Sequence, residues 1–254
     1  MIKLLKIEWL KIARYRTFYI FSGLYVLLLF AIYYGFDRII HIGFLDLSIV
    51  YKFPNVWYYA AYVSSFLAPV LGLLMINLLA NEFSFRTLRQ NVVDGLSREQ
   101  AFASKLILSG MLSICAGVMV LLTGLVVGLI RGGMPAGADL WLRSEFILRT
   151  IWQTFGILTA ALLITLIIRR SALAILAFLA LMWIIEPIIG NLILKDIYSY
   201  FPLNSLDEFI PSPINFDPPS FGYHSTPTGV MIAALIYPFV FIAAGFYLIK
   251  RKDL

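Results

Sequence analysis

The chain has 254 residues, of which 61% are hydrophobic and 13% are charged. A water-soluble protein of this length cannot bury so much apolar side chain in one core, so the composition excludes that class and indicates an integral membrane protein. The net charge of +6 raises the question of nucleic acid binding. The basic residues lie beside apolar segments rather than in one patch, and we therefore expect no nucleic acid partner.

The first predicted element is residues 1–16, an amphipathic stretch. Drawn as a helix, it places Ile2 and Trp9 on one face and Lys3 and Lys6 on another. This separation is typical of a helix that lies in the membrane interface, and we predict an N-terminal elbow helix here. The alternative is a cleaved secretory signal. It is disfavoured because the next apolar run is long and no small-residue cleavage site follows it.

Six long apolar segments follow, and they predict an all-α integral membrane protein with six transmembrane helices. Each is long enough, as a helix, to cross a hydrocarbon core of roughly 30 Å. We treat residues 1–254 as a single transmembrane domain. At the start of the second span, Trp57, Tyr58, Tyr59 and Tyr62 predict an aromatic belt at the membrane surface. The predicted spans are residues 17–34, 56–80, 106–130, 146–168, 173–189 and 229–249.

Residues 81–105, between the second and third spans, are charged and contain their own helix signals. Asn81 predicts the N-cap of a short helix, and Gly95 predicts its end. Ser97, with Gln100 three residues later, predicts a capping box that starts the next helix. Such a segment lies in water and can meet a soluble partner. The alternative is a simple connecting loop, which every protein with several spans needs.

The distribution of positive charge predicts the orientation in the membrane. Of the 20 Lys and Arg residues, 14 fall on the side that holds the termini and residues 81–105, and six fall on the other side. By the positive-inside rule, we expect both termini and residues 81–105 to face the cytoplasm. We expect the protein to be a multi-pass protein of the cell membrane, that is, the inner or cytoplasmic membrane.

Residues 190–228 then lie outside the cytoplasm, and their composition is unusual. Prolines recur through the segment and exclude one continuous helix, while its many aromatic side chains disfavour a flexible linker. We predict an ordered extracytoplasmic cap that contains short helical pieces. A poorly ordered loop is the alternative.

Glu186 is the ionisable residue that stands out within the spans, near the outer end of the fifth. An ionised carboxylate that faces lipid costs about 2.5 to 3.5 kcal/mol, so we expect Glu186 to face protein, water or a partner chain. One hypothesis places it on a substrate path or gate, and the other makes it a hydrated group at the membrane surface. On the third span, Gly124, Gly128 and Gly132 recur every four residues and predict close helix packing.

The sequence contains no G-x-S-x-G, no H-E-x-x-H and no glycine-rich phosphate loop that ends in Lys-Ser/Thr. We therefore predict that this chain is not an enzyme, and we assign it no catalytic residue, metal site or cofactor of its own. If the chain performs energised work, another subunit must supply the energy.

Three short motifs, together with the elbow and the six spans, resemble the permease subunit of type 2 ATP-binding-cassette (ABC) exporters. Residues 82–91 read Glu-Phe-Ser-Phe-Arg-Thr-Leu-Arg-Gln-Asn, residues 95–100 read Gly-Leu-Ser-Arg-Glu-Gln, and residues 201–204 read Phe-Pro-Leu-Asn. The resemblance covers essentially the whole chain. Its most specific part is residues 82–105, where that family places its coupling helix.

The resemblance implies a partner subunit that hydrolyses ATP. Two permease subunits, identical or homologous, would form a path across the lipid bilayer, and each would dock its coupling helix on a cytosolic ABC ATPase subunit that holds the ATP and magnesium. The exported substrate would be hydrophobic or amphipathic, such as a peptide, a lipid or a drug-like molecule. The alternative is a standalone six-span channel or assembly factor without an ATPase partner. The residues implied in ATPase coupling are Glu82, Phe83, Phe85, Arg86, Leu88 and Arg89.

Overall fold

The computed structural model describes residues 15–36, 47–84, 97–133, 140–192, 195–216 and 219–251. The predicted elbow therefore lies outside the described residues, apart from Tyr15 and Arg16. The α-helices of the described part are α1 (Arg16–Tyr34), α2 (Asn55–Ser84), α3 (Arg98–Val127), α4 (Glu145–Ile168), α5 (Ser171–Ala180), α6 (Glu186–Leu192), α7 (Pro202–Asp207) and α8 (Thr228–Arg251). Wider π-helical turns, Gly128–Gly132 and Leu181–Ile185, extend α3 and join α5 to α6.

Six of the helical segments are long and apolar enough to cross a membrane, which confirms the predicted all-α fold with six transmembrane helices. Five are single helices, with α3 extended by its π-helical turn. The remaining one, Ser171–Gly190, combines α5, the π-helical turn and most of α6. The chain is therefore a multi-pass membrane protein.

The centre of the bundle is α2, and α4 packs beside it. In the apolar part of α2, 78% of the residues are buried, compared with 61% in α4 and only 17% in α1. Small residues such as Ala60, Ala61 and Ser64 let neighbouring helices approach α2 closely. The peripheral helices α1, α5 and α8 keep broad apolar faces on the outside of the subunit.

The packing predicted for the glycines of α3 is confirmed. Gly124 faces the ring of Trp57, and Gly128 faces Phe53. A Cβ atom at Gly128 would lie 2.9 Å from Cζ of Phe53, which is too close for any larger residue without movement. These glycines therefore serve close contact between α3 and the start of α2.

The predicted aromatic belt at the start of α2 is wrong, because the structure buries these rings within the protein. Trp57 and Tyr58 are fully buried, Tyr59 is nearly so, and Tyr62 is half-buried. The indole Nε1 of Trp57 donates to the carbonyl oxygen of Leu140 at 2.7 Å, and the hydroxyl of Tyr58 donates to that of Pro211 at 3.0 Å. The N–H of a tryptophan or the hydroxyl of a tyrosine can donate to a buried backbone carbonyl as well as to groups at the membrane surface. The aromatic residues alone therefore do not distinguish the two locations.

Residues 195–216 and 219–227 lie at this end of the bundle. They contain the short helical pieces that the proline pattern predicts, namely the 3₁₀ turn Lys195–Tyr200 and α7. They also contain two short antiparallel strands that the sequence reading missed, β1 (Ile214–Phe216) and β2 (Pro219–Phe221).

Candidate coupling site and outer cavity

The end of α2 opposite the buried rings is the base of the bundle, and it leads into the predicted coupling segment. The prediction that Asn81 caps a separate short helix is wrong, since α2 continues through Asn81 to Ser84. No glycine or proline interrupts the chain between Gly72 and Ser84, so the helix propagates past the asparagine. The side-chain Nδ2 of Asn81 instead donates to the hydroxyl of Tyr15 at 2.6 Å, beside the start of α1.

A buried ion pair joins α2 to α3 at this base. Nζ of Lys105 lies 2.5 Å from Oε1 of Glu82, and the two side chains are only 4% and 13% exposed. Removing such charges from water is costly, so each needs the other in place. The pair therefore holds together the two helices that flank residues 85–96.

The start of α3 is defined by the capping box that the sequence predicts, and that prediction is confirmed. Oγ of Ser97 accepts the backbone N–H of Gln100 at 3.1 Å. In return, the backbone N–H of Ser97 donates to Oε1 of Gln100 at 3.0 Å. Two N–H groups that the first turn would otherwise leave unsatisfied are thus paired, and this capping box defines the residue at which α3 begins.

The turn between α4 and α5 also packs against the base of α2. Arg169 ends α4 in a left-handed conformation (φ 59°), and its guanidinium carbon lies 5.6 Å from the ring centroid of Phe83. Six residues before Phe83 on α2, Oδ1 of Asn77 accepts a hydrogen bond from the hydroxyl of Ser171 at 2.8 Å. The base of α2 therefore contacts the start of α5 as well as α1 and α3.

These contacts define what we call the base cluster. Each member is a polar, charged or aromatic side chain that joins α2 to another helix or to the α4–α5 turn. Its members are Tyr15, Asn77, Asn81, Glu82, Phe83, Lys105, Arg169 and Ser171.

The end of α8 reaches α3 just beyond the base cluster. The ring of Phe246 meets that of Phe102 edge-on, with centroids 4.9 Å apart. Nζ of Lys250 lies 3.1 Å from Oε1 of Glu99. These contacts bring the last span to the same end of the molecule as the coupling segment.

The structure places two of the six predicted coupling residues, Glu82 and Phe83, in the base cluster. Both have partners within the chain. The other four, Phe85, Arg86, Leu88 and Arg89, lie outside the described residues. The sequence reading missed Lys105 and Arg169 as their partners, although a lone lysine at the start of an apolar span is itself a signal for a buried pair.

Glu186 is buried, with 5% of the residue exposed. Its Oε1 accepts the backbone N–H of Leu203 at 3.1 Å, and its Oε2 accepts that of Asn204 at 2.9 Å. The carboxylate thus caps the first turn of α7, where unsatisfied N–H groups favour negative charge. The hypothesis of a hydrated carboxylate at the membrane surface is wrong, because protein surrounds the group and satisfies it.

A cavity of about 280 Å³ lies beside α7, between the half of α2 away from the base cluster, which we call its outer half, and the π-helical turn of the fifth span. The carboxylate of Asp207 lines it, and Oδ1 of Asp207 accepts a hydrogen bond from the hydroxyl of Ser65 at 3.3 Å. The lining residues are Ser65, Phe66, Pro69, Met182, Trp183, Pro187, Tyr198, Leu203, Asn204 and Asp207. Most of this wall is apolar, with a single carboxylate among the lining side chains.

Comparison with known proteins identifies one family. A family model described as ABC-2 family transporter protein matches residues 4–185, which include α1 to α5 and the base cluster. No curated protein matches the chain.

Proposed function

The chain belongs to the ABC-2 transporter family, and on that premise we propose that it couples ATP hydrolysis by a separate cytosolic ATPase subunit to the export of a hydrophobic or amphipathic substrate. Membership of the family makes it a membrane component of an ABC transporter. The ATPase partner, the coupling step and the substrate class are the parts that we propose.

The observation that carries the proposal is the base cluster. Its contacts join α2 to α1, α3 and α5 near the end of α2 and the start of α3, the two helices that flank residues 85–96. A force applied to that segment would reach several spans at once, because α2 is the helix around which the others pack. Packed side chains, hydrogen bonds and ion pairs of this kind can carry coupling between the point of force and the helices that move.

We assign the predicted coupling residues two roles. Glu82 and Phe83 anchor the segment, since both are engaged within the chain. Phe85 and Leu88 supply apolar contact with the ATPase subunit, and Arg86 and Arg89 set the register through charge. ATP and magnesium bind to the partner, which performs the hydrolysis.

The proposal includes an orientation and a second permease subunit. The base cluster and both termini face the cytoplasm of a cell membrane, as the excess of Lys and Arg on that side favours. A second, identical or homologous subunit packs against exposed apolar helix faces, and the path forms at the seam. The small buried fractions of α1 and α5 are consistent with such a seam.

Affinity purification of the full chain from its native cells in mild detergent, followed by a search for an ABC ATPase subunit in the preparation, tests this function. We expect the two to purify together, and we expect Phe83→Ala with Arg86→Glu to lower the ATPase activity of the complex severalfold. Lys52→Glu is the matched control, because it reverses an exposed charge at the opposite end of α2 and should leave the activity unchanged. A preparation that transports substrate without any ATPase subunit would instead establish the standalone channel or assembly factor.

A further inference from the structure

We propose that the outer cavity binds the cationic group of an amphipathic molecule, with Asp207 as its counter-ion and the aromatic wall against its apolar body. This inference rests on the proposed function in one respect, since it narrows the exported substrate to an organic cation. The cavity itself is a binding site whether or not the chain works with an ATPase.

The wall of the cavity suits an apolar body. Pro69 of α2 and Met182 and Pro187 of the fifth span contribute aliphatic surface. Two large aromatic side chains of the cavity wall are exposed, Phe66 to 70% and Trp183 to 56%. At about 280 Å³ the space is near the lower end of ligand cavities, which suits a head group and the first part of a chain.

Asp207 is the carboxylate among the lining residues, whereas the nearby Glu186 and Glu208 lie outside the lining and make hydrogen bonds within this part of the protein. Glu186 caps α7 through both of its oxygens. Oε1 of Glu208 accepts the side-chain Nδ2 of Asn204 at 2.9 Å and the hydroxyl of Ser199 at 3.2 Å. Asp207 receives one long hydrogen bond, from Ser65, so it retains acceptor capacity for a ligand.

The charged groups described beside the cavity are mainly acidic, namely Asp207 in its lining and Glu186 and Glu208 nearby. Burial raises the pKa of the Tyr198 hydroxyl, and the charges of Glu186, Glu208 and Asp207 raise it further. None of the lining residues is basic. The arginine of the adjacent part of α4, Arg149, donates to the carbonyl oxygen of Phe209 at 3.3 Å. A cation is therefore favoured here, and a lipid head group that carries a phosphate is disfavoured.

The aromatic and acidic parts of the site act on the same ligand. A quaternary ammonium has no proton to donate, so it is recognised by opposite charge and by ring faces. Trp183 supplies the ring that interacts most strongly with cations. Cation binding at Asp207 thus requires only side chains that already line the cavity.

The protonation of Asp207 makes the site sensitive to pH. Desolvation raises the pKa of Asp207 to about 6, with the Ser65 hydrogen bond opposing and the Glu208 charge adding to the shift. The carboxylate is charged well above pH 6 and neutral well below it. Binding of a permanently charged cation should therefore be strongest above about pH 7 and should weaken as the pH falls through 6.

Isothermal titration of the full chain in nanodiscs of zwitterionic lipid tests the site, with dodecyltrimethylammonium as the probe and empty nanodiscs as the background. At pH 8 we expect Asp207→Asn to bind on the order of tenfold more weakly than the natural chain. Glu145→Gln is the control, because it removes an exposed carboxylate at the start of α4, away from the cavity lining. Equal affinity of the Asp207→Asn and natural chains would overturn the proposal.

The pH dependence gives a second readout. Affinity of the natural chain should fall between pH 8 and pH 5, whereas that of Asp207→Asn should stay nearly flat. Ser65→Ala keeps the carboxylate but removes its hydrogen bond, so the midpoint of the fall should move to higher pH. This variant keeps the test decisive if Asp207→Asn fails to fold, and an unchanged midpoint would count against the assignment.

Probes that share the dodecyl tail but differ in head group distinguish the possible occupants of the cavity. Dodecylphosphocholine, which adds a phosphate, and dodecanol, which has no charge, should both bind much more weakly than the ammonium probe. If phosphocholine binds as tightly, the occupant is a lipid head group and the proposed free cation is wrong. This assay contains no ATPase, so its failure would leave the coupling proposal standing, and failure of coupling would leave this binding intact.

Discussion

The two ends of α2 are held in different ways. At the outer end, Trp57 and Tyr58 are fully buried, and their polar atoms donate to backbone carbonyls of distant loops. At the base, Glu82, Asn81 and Asn77 make side-chain contacts with Lys105, Tyr15 and Ser171. One end is fixed by close packing of rings, and the other by a few directional polar contacts.

The difference indicates how one helix can serve two purposes. Close-packed rings lose contact with any displacement, so the outer end of α2 is suited to act as a fixed point. A side-chain ion pair can move with the two helices that it joins, so the base is suited to transmit movement. The following four predictions test this contrast, in order of decreasing effect.

Replacement of the outer anchor should have the largest effect. Trp57→Ala removes a fully buried ring and leaves the carbonyl oxygen of Leu140 without its donor. We expect a loss of about 3 to 5 kcal/mol in the free energy of unfolding, as for other large-to-alanine changes in cores. Denaturant unfolding in detergent measures it. A loss below about 1 kcal/mol would contradict the view that the outer end is fixed by packing.

Breaking the buried ion pair should have the next largest effect. Lys105→Met leaves the Glu82 carboxylate without this partner, and we expect a loss of about 2 to 3 kcal/mol. The double variant Glu82→Gln with Lys105→Met should recover most of that loss, because no buried charge then remains unpaired. A double-mutant cycle on the same unfolding signal checks this. Additive losses would show that the pair does not act as one unit.

Loss of the Glu186 charge should loosen α7 rather than the whole bundle. Glu186→Gln keeps one acceptor oxygen but loses the charge-assisted hydrogen bonds to the N–H groups of Leu203 and Asn204. We expect a local cost of about 1 to 2 kcal/mol. Hydrogen exchange at these two amides measures it. Unchanged protection there would remove the capping role.

The exposed pair between Lys250 and Glu99 should contribute least. Both side chains are more than half exposed, so solvent and salt screen their attraction. Lys250→Ala should change the free energy of unfolding by less than about 0.5 kcal/mol. A larger effect would mean that the base depends on its periphery as well as on the base cluster.

The sequence predicts those parts of the fold that depend on residues close together in the chain. Each apolar run is long enough to be a span on its own, and the capping box of Ser97 and Gln100 needs only residues three apart. The burial of Trp57 and the capping of α7 by Glu186 depend on residues far away in the chain, so no local pattern contains them. The prediction for Asn81 is wrong because an asparagine is compatible with two positions. It can cap a helix, or it can lie within a helix when its side chain has a hydrogen-bond partner, as Asn81 has in Tyr15.

The central claim is that the base of α2 is the cytoplasmic end that receives force from the ATPase subunit. Labelling of an introduced thiol tests it directly. Cys115, the single cysteine of the sequence, is first replaced by Ser, Arg89→Cys is then added, and an impermeant maleimide is applied to intact cells. Ser225→Cys, at an exposed position at the opposite end of the molecule, serves as the control that the reagent should reach from outside. We predict that position 89 reacts only after the cells are made permeable, and less when the ATPase subunit is bound. Reaction at position 89 in intact cells would place the base outside the cell and contradict the account.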